Sequence, residues 1–278
     1  MPEDKPTPLR LLTAPLDLVG GALLRFLDHI GAAVWLFLDA IHWIVRGIAT
    51  RKTRLGKRAI IAQIVRIGVR STFIVALVSG CVGLILAFQL SPPLDQFGQK
   101  ELVANIIGVA VLRELGPLIG AIVLTGFAGA SIAAEIGTMV VSEEVEALEA
   151  HALNPIRFLV VPRVVSAIIS MTALAVIADI VAIAAALLIS VTVLDIPYAT
   201  FMTNLLNQAK QVDFLTGVAK GTVFGLLIGV IACLNGLKVA GGAAGVGRAT
   251  TSTVVQSVVA VIIADLAFTA VFYALKLV

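Results

Sequence analysis

The chain has 278 residues, of which 59% are hydrophobic and only 13% are charged, and its mean hydropathy is +1.06. Soluble domains carry about 25% charged residues, so this composition excludes a soluble protein and indicates an all-α polytopic membrane protein. The net charge of +3 does not indicate nucleic-acid binding, because the basic residues cluster beside the first span. No stretch is polar enough for a soluble domain, so residues 1–278 form one membrane domain.

The first predicted element is a helix over residues 16–48. The preceding MPEDKPTPLR lacks the basic start, short apolar core and cleavage site of a signal peptide. Polar residues near one stripe of the helix and both tryptophans of the chain are typical of an amphipathic helix at the membrane surface. A sixth membrane span is the alternative. The residues concerned are Arg25, Asp28, Asp39, His42, Arg46, Trp35 and Trp43.

Five later segments are apolar over the ~20 residues that a helix needs to cross the hydrocarbon. We predict spans at about residues 71–94, 102–138, 160–194, 212–237 and 249–276, with short helices in the outer loop between the third and fourth spans. Residues 1–70 hold eleven Lys and Arg residues. Since basic residues stay in the cytoplasm, this predicts a cytoplasmic N-terminus and a periplasmic C-terminus.

Arg113 and Glu114 lie well inside the second predicted span. Ionisable groups in a bilayer normally face a partner, a cavity or water, and adjacent helical residues point about 100° apart. Two interpretations stay open: the pair lines a polar pocket for an amphipathic substrate, or it belongs to a buried ion-pair network. For Asp179 and Asp265 we favour a structural role. Gly116-Pro117 permits a kink directly after the pair.

An acidic segment follows the second span, and it predicts a short amphipathic helix over residues 142–153. Ser142 is a plausible N-cap, Glu143 and Glu144 suit the N-terminal end of a helix, and Asn154-Pro155 would stop it. The helix would lie at the cytoplasmic surface, where its acids repel anionic lipid. It is therefore suited to a protein partner with a basic groove.

The sequence contains no nucleophile–base set and no metal-ligand cluster. The run GGAAGVGRAT at residues 241–250 has the glycine spacing of a phosphate loop, but Arg248 and Ala249 replace the required Lys and Ser/Thr, so we interpret it as a flexible cytoplasmic turn. Cys81 and Cys233 lie in apolar runs and are interpreted as small buried side chains. Uphill transport would thus draw on an ion gradient or on another subunit.

Three motifs carry a resemblance to a known family: RELGP at Arg113–Pro117, AAEIGTM at Ala133–Met139 and EEVEALEAHALNP at Glu143–Pro155. They resemble the MlaE/YrbE permeases, the membrane subunits of phospholipid ABC transporters that work with Mce proteins and maintain outer-membrane lipid asymmetry. The resemblance implies an inner-membrane homodimer with a lipid cavity at its interface. Its implied partners are two cytoplasmic MlaF-like ATPase subunits that bind ATP and Mg²⁺, a small MlaB-like STAS subunit and a periplasmic MlaD-like Mce hexamer.

The resemblance also assigns roles to residues. The 142–153 helix looks like the coupling helix that docks into the ATPase, through Glu143, Glu144, Val145, Glu146, Leu148 and Glu149. The implied substrate-binding residues are Arg113, Glu114, Leu115, Leu94 and Phe97. One departure is Phe127, where many relatives have an arginine.

Two other functions compete with a lipid permease. An ion-coupled secondary transporter of a hydrophobic substrate would use Glu114, Asp179 or Asp265, although the internal repeat usual in such proteins is not apparent. A structural membrane scaffold would tolerate loss of Arg113 and Glu114 without a change in lipid traffic.

Overall fold

A computed structural model of the chain describes residues 8–49 and 56–276. These residues form helices without any strand, in agreement with the predicted all-α membrane fold. The helices are α1 (Pro8–Ala49), α2 (Lys57–Gln96), α3 (Lys100–Val141), α4 (Glu144–Ala150), α5 (Ile156–Thr192), α6 (Tyr198–Gln208), α7 (Gln211–Leu237) and α8 (Gly242–Ala274).

The five predicted spans correspond to α2, α3, α5, α7 and α8, which are 27 to 42 residues long. Each is longer than the ~20 residues that cross a bilayer, so these helices must tilt or project beyond the hydrocarbon. The largest difference is at α2, which begins at Lys57 and not near residue 71 and contains a 3₁₀ turn at Val69–Ser71. The outer-loop helix predicted between the third and fourth spans is α6.

Helix α1 is longer than the predicted 16–48 element and packs on the bundle through Leu36 and Ala40, which are buried. His29 Nε2 lies 3.0 Å from the side-chain oxygen of Gln256 on α8. Within α1, Leu27–Arg46 is long and apolar enough to cross a membrane. Length and hydropathy are therefore compatible with the predicted surface helix and with a sixth span alike. Most of the basic run from Arg51 lies outside the described residues.

Small residues bring the long helices close together, as their abundance in the sequence predicts. A methyl group on Gly83 of α2 would lie 2.0 Å from the carbonyl oxygen of Ala182 on α5. A methyl group on Gly217 of α7 would lie 1.9 Å from the carbonyl oxygen of Leu112 on α3. Backbone therefore packs directly on backbone at both crossings.

The bundle has two ends that can be told apart. The α4 end also holds the end of α7 and the start of α8, since Gly236 packs on Ile136 and Val239 packs on Gly137. The opposite end, called the α6 end, holds the start of α3, because the Asn204 side chain donates a hydrogen bond to the Glu101 carbonyl. The predicted orientation would place the α4 end in the cytoplasm.

The glycine-run prediction was wrong, because α8 begins at Gly242 and most of the run is its first turns. The tight turn is shorter than expected and ends at Gly241 and Gly242, whose φ angles of 85° and 67° suit glycine. The helix extends into the run because its alanines and Val246 are compatible with a helix and Val246 packs beside Gly137.

Candidate functional site: a charged cavity and an acidic helix

Arg113 and Glu114 lie on a π-helical turn, Val111–Leu115, in the first half of α3. Pro117 has no N–H group and cannot donate to the carbonyl of Arg113 four residues earlier, so regular α-helical bonding cannot continue here. The Gly116 N–H donates instead to Val111, five residues back. Such turns often occur at functional sites. Gly116-Pro117, where the sequence predicts that a kink is permitted, thus follows directly after a widened turn.

Arg113 binds Asp213 at the start of α7. Its Nη2 and Nε atoms both lie 2.5 Å from Asp213 Oδ1. Asp213 is 1% exposed, and its other oxygen accepts a hydrogen bond from the Lys210 backbone N–H at 2.8 Å. The carboxylate therefore caps α7 and holds α3 at the same time. Arg113 therefore belongs to an ion pair between helices, as one of its two predicted interpretations holds, and it also contributes to a cavity lining.

Glu114 faces a different partner, as the angle between adjacent helical residues predicts. Lys220 Nζ of α7 lies 2.6 Å from Glu114 Oε1 and 2.9 Å from Asp265 Oδ1 of α8. Thr269 joins the same group by donating to Glu114 at 2.9 Å. Lys220 is 1% exposed, whereas 36% of the Glu114 side chain is accessible. A buried cation is thus held by two acids, and one of these remains open to a ligand.

This charged cluster borders a cavity of about 210 Å³. Charged and hydroxyl groups line one part of the cavity and apolar side chains line the rest. The lining residues are Val109, Ala110, Arg113, Glu114, Thr216, Lys220, Thr269 and Phe272. A site of this kind can hold a polar group attached to an apolar chain.

The other predicted substrate residues do not line this cavity. Leu115 is partly buried beside it. Leu94 packs on an apolar cluster at the α6 end, and Phe97 is 78% exposed at the end of α2. Phe127 lies on a second π turn, Thr125–Gly129, and is partly exposed outside the cavity lining. Of the five predicted substrate residues, Arg113 and Glu114 line the cavity, whereas Leu115, Leu94 and Phe97 do not.

At the α4 end, the predicted acidic helix is present but shorter than residues 142–153. Helix α4 covers Glu144–Ala150, and Ser142 is not its N-cap. Glu143 occupies that position with a φ angle of 59°, and the Ser142 hydroxyl bonds the Glu144 carboxylate at 3.0 Å. The Ser142 prediction failed because the chain leaves α3 through a left-handed turn that a side-chain pattern does not show.

The surface of α4 agrees with the predicted amphipathic pattern. Glu143, Glu144, Glu146 and Glu149 are exposed, whereas Val145 and Leu148 are half-buried. Beneath the helix is a second cavity of about 470 Å³. Its lining residues come from the end of α3, from α4 and its following turn, and from the start of α5, and are Met139, Glu144, Ala147, Leu148, His151, Phe158 and Leu159.

Asn154 does not stop the acidic helix as predicted, because that helix already ends at Ala150 and the chain turns at the two residues that follow. The Asn154 side-chain oxygen accepts hydrogen bonds from the backbone N–H groups of Ile156 at 2.9 Å and Arg157 at 3.2 Å. It therefore caps α5, in the way that asparagine commonly caps helices. The cap fixes the connection between α4 and the next span.

Sequence reasoning did not assign Asp213, Lys220 and Thr269 to the site. Lys220 gave a signal, because it is the only charged residue within the apolar stretch from Phe214 to Leu237. A lone cation in one span and lone acids in others predict pairing. Asp213 and Thr269 gave no such signal. An acidic residue at the start of a helix is ordinary, and so is a threonine within a membrane span.

The two aspartates predicted to be structural have different surroundings. Asp265 pairs with Lys220, as a structural role requires. Asp179 of α5 is buried, and neither of its oxygens has a hydrogen-bond partner among the described residues. A methyl group on Gly116 would lie 1.7 Å from Asp179 Oδ1, so this carboxyl group packs directly on the α3 backbone beside the π turn.

Comparison with known proteins gives the family. The family model described as "Permease MlaE" matches residues 60–271. A "Probable ABC transporter permease protein" of Rickettsia prowazekii is 36% identical over 92% of this chain and 96% of its own length. A protein with the same description from Synechocystis is 33% identical over 76% of this chain and 81% of its own length.

A plant protein is also similar. "Protein TRIGALACTOSYLDIACYLGLYCEROL 1, chloroplastic" of Arabidopsis thaliana is 33% identical over 80% of this chain and 63% of its own length. The family match spans most of the chain and includes both the charged cluster and α4. The chain therefore belongs to the MlaE permease family and is a permease subunit of an ABC-type transporter.

Proposed function

We propose that this permease moves a phospholipid or a similar amphipathic lipid, and that the charged cavity holds the lipid headgroup. The observation that carries the proposal is the partly accessible Glu114 carboxylate beside Lys220, in a cavity that also presents Val109 and Phe272. Ionisable groups inside apolar spans are costly and tend to mark a substrate pathway. The name of the Arabidopsis relative, which contains that of a glycerolipid, supports the same substrate class.

The cavity of one chain is too small for a whole lipid. Its volume of about 210 Å³ is below the ~300–1,000 Å³ of ordinary small-molecule pockets, so it can receive a headgroup but not two acyl chains. Helix α8, which supplies Asp265 and Thr269, exposes an apolar face that includes Ile263 and Leu266. A second copy of the chain packed near this face would enlarge the site, which supports a homodimer with the lipid at its interface.

The ATPase subunit would bind at the α4 end. The exposed glutamates of α4 and its half-buried Leu148 suit a basic groove with an apolar floor on a cytoplasmic ATPase subunit. ATP and Mg²⁺ would bind to that subunit, and this chain would transmit movement without catalysing hydrolysis. An MlaB-like subunit beside the ATPase and an MlaD-like hexamer on the periplasmic side of an inner membrane would complete the assembly.

The proposal is tested by reconstituting the permease with its co-purifying ATPase into vesicles that contain a fluorescent phospholipid. We expect ATP-dependent lipid transfer, and we expect Glu114→Leu to reduce it about 10-fold or more while the complex still assembles. Assembly should persist because Lys220 keeps Asp265 as a partner. If Glu114→Leu instead separates the subunits and leaves transfer per intact complex unchanged, the role of Glu114 is structural.

The same vesicles discriminate between the competing functions. An ionophore that removes the proton and sodium gradients should leave lipid transfer unchanged as long as ATP is supplied. Transfer that stops with the ionophore but continues without ATP would identify an ion-coupled transporter.

A further inference from the structure

A second ion cluster lies near the α4 end, outside the charged cavity. Glu135 of α3 belongs to the AAEIGTM motif, for which sequence analysis gave no role. Its Oε1 atom lies 2.9 Å from Arg66 Nη1 of α2 and 3.0 Å from Arg163 Nη2 of α5. One carboxylate oxygen therefore joins three helices. The cluster of Arg66, Glu135 and Arg163 is called the Glu135 clamp.

The clamp is anchored by a buried charge. The Arg163 side chain is 6% exposed, and its Nη1 donates to the Leu159 carbonyl at 2.8 Å. A buried guanidinium needs a counter-charge, because an unpaired buried charge is strongly unfavourable. The Arg66 side chain, in contrast, is 45% exposed, so its bond to Glu135 can be removed without leaving a buried charge.

The position of the clamp relates it to α4. Glu135 is six residues before the end of α3, and Arg163 is seven residues after the start of α5, so both lie ~10 Å along their helices from the ends that flank α4. Arg163 also contacts Met139 Sδ at 4.0 Å. Met139 and Leu159 both line the cavity beneath Leu148 of α4. A continuous series of contacts thus leads from α4 to the clamp.

We propose that Glu135 is a positioning residue that couples α4 to lipid movement. It does so by holding α2, α3 and α5 together near the α4 end, so that they move as one body. A displacement of α4 by the ATPase then moves α3, with Arg113 and Glu114, instead of being lost as local bending between α3 and α5. Without the clamp, the ATPase still docks and hydrolyses ATP, but less lipid moves per ATP. This inference rests on the proposed ATP-driven lipid transport.

The test measures lipid transferred per ATP hydrolysed in the reconstituted permease–ATPase complex. Among complexes that assemble, we expect Glu135→Gln to lower this ratio about 5- to 30-fold, with ATP hydrolysis per complex close to that of the unmodified protein. Assembly itself should be weakened, because the buried Arg163 loses its counter-charge. Arg66→Gln should give a smaller decrease, and Glu135→Asp, which keeps a carboxylate at this position, should retain more of the ratio than Glu135→Gln. The matched control is Glu101→Gln, the same change at an exposed position of α3 near the α6 end, which should leave the ratio unchanged.

Each result decides between alternatives. A ratio that stays normal in both Glu135→Gln and Arg66→Gln overturns the clamp, as does a proportional loss of hydrolysis and transfer, which would indicate a purely structural role. If Glu135→Gln fails to assemble, Arg66→Gln decides alone, and a normal ratio in that variant again overturns the inference. Absence of ATP-dependent transfer in the unmodified complex would instead contradict the proposed function.

Discussion

At the residue scale, the two adjacent charges of α3 have separable roles because their partners differ. Arg113 is bound to a buried aspartate that also caps α7, whereas Glu114 shares Lys220 with a second acid and remains partly accessible. Removing Arg113 would leave the Asp213 carboxylate buried without its cation, and broken buried pairs cost about 3–5 kcal/mol. Glu114 is therefore the better position at which to examine substrate binding without unfolding the protein.

The contact between Gly116 and Asp179 gives a prediction of stability. Gly116→Ala places a methyl group 1.7 Å from Asp179 Oδ1, so we expect it to lower the free energy of unfolding by about 1–3 kcal/mol, as overpacked sites do. Thermal unfolding in detergent measures the effect. Gly126→Ala is the control, since nothing lies within 4 Å of the added methyl group. The double variant Gly116→Ala with Asp179→Ala should recover part of the loss, and equal effects of the two glycine substitutions would contradict this packing.

At the element scale, α4 is the helix whose stability depends most on the turns that flank it. It is a seven-residue helix between two spans, with a strained residue at its start and an asparagine cap after it. So short a helix has little stability of its own and depends on its flanking turns and on packing. Changes on its surface and changes in its turns should therefore have different effects.

Leu148→Asp changes the half-buried apolar surface of α4. We expect this variant to lose the ATPase during affinity purification while the spans remain folded, because a charge replaces the apolar contact that the ATPase would cover. Leu206→Asp is the matched control: it introduces the same charge on α6, where Leu206 is 69% exposed at the other end of the bundle. Normal ATPase recovery with Leu148→Asp would refute the docking role of α4.

Asn154→Ala changes the turn after α4. We expect it to lower the free energy of unfolding by about 1 kcal/mol, because the Ile156 and Arg157 N–H groups lose their acceptor. Asn154→Asp keeps a side-chain oxygen and should be close to the unmodified protein. Hydrogen exchange of the first turn of α5 measures the change, and equal protection in the two variants would argue against the cap.

The elements themselves could be predicted from the sequence, while their contacts could not. Hydropathy places the spans, because a long apolar helix has few alternatives in a membrane. The partners of Arg113 and Glu114 come from α7 and α8, about 100 to 155 residues later in the chain, and no local pattern encodes which helix faces which. Likewise, a run of glycine and alanine at residues 241–250 suits both a turn and a closely packed helix.

At the scale of the whole molecule, the charged cavity and the acidic helix belong to different regions of one bundle. Helix α3 connects them, since it carries Arg113 and Glu114 in its first half and Glu135 further along, and α4 follows just after its end. Between Glu114 and Val141 this helix rises ~40 Å, more than the thickness of the hydrocarbon core. The binding site and the docking site are thus linked through one helix.

The predicted orientation of the bundle can be tested with single cysteines. Cys233 is buried as predicted, but Cys81 is exposed, so the experiment uses a Cys81→Ser background. In it, Gln99→Cys at the α6 end and Glu146→Cys on α4 lie at opposite ends of the bundle. A membrane-impermeant maleimide should label residue 99 from the periplasmic side and residue 146 only in inverted vesicles. The reverse labelling would contradict both the assigned orientation and access of a cytoplasmic ATPase to α4.

The two π turns of α3 each add a residue to what would otherwise be a regular helix. Removing one residue within such a turn would restore ordinary α-helical winding and leave the helix that follows in nearly the same orientation, because the wide turn accommodates the extra residue locally. A deletion in the regular stretch Gly116–Leu124 would instead rotate the following residues by about 100°, so that Glu135 would point away from Arg163 and Arg66. A point deletion within Gly116–Leu124 should therefore be far more harmful than a point deletion within the π turn Thr125–Gly129.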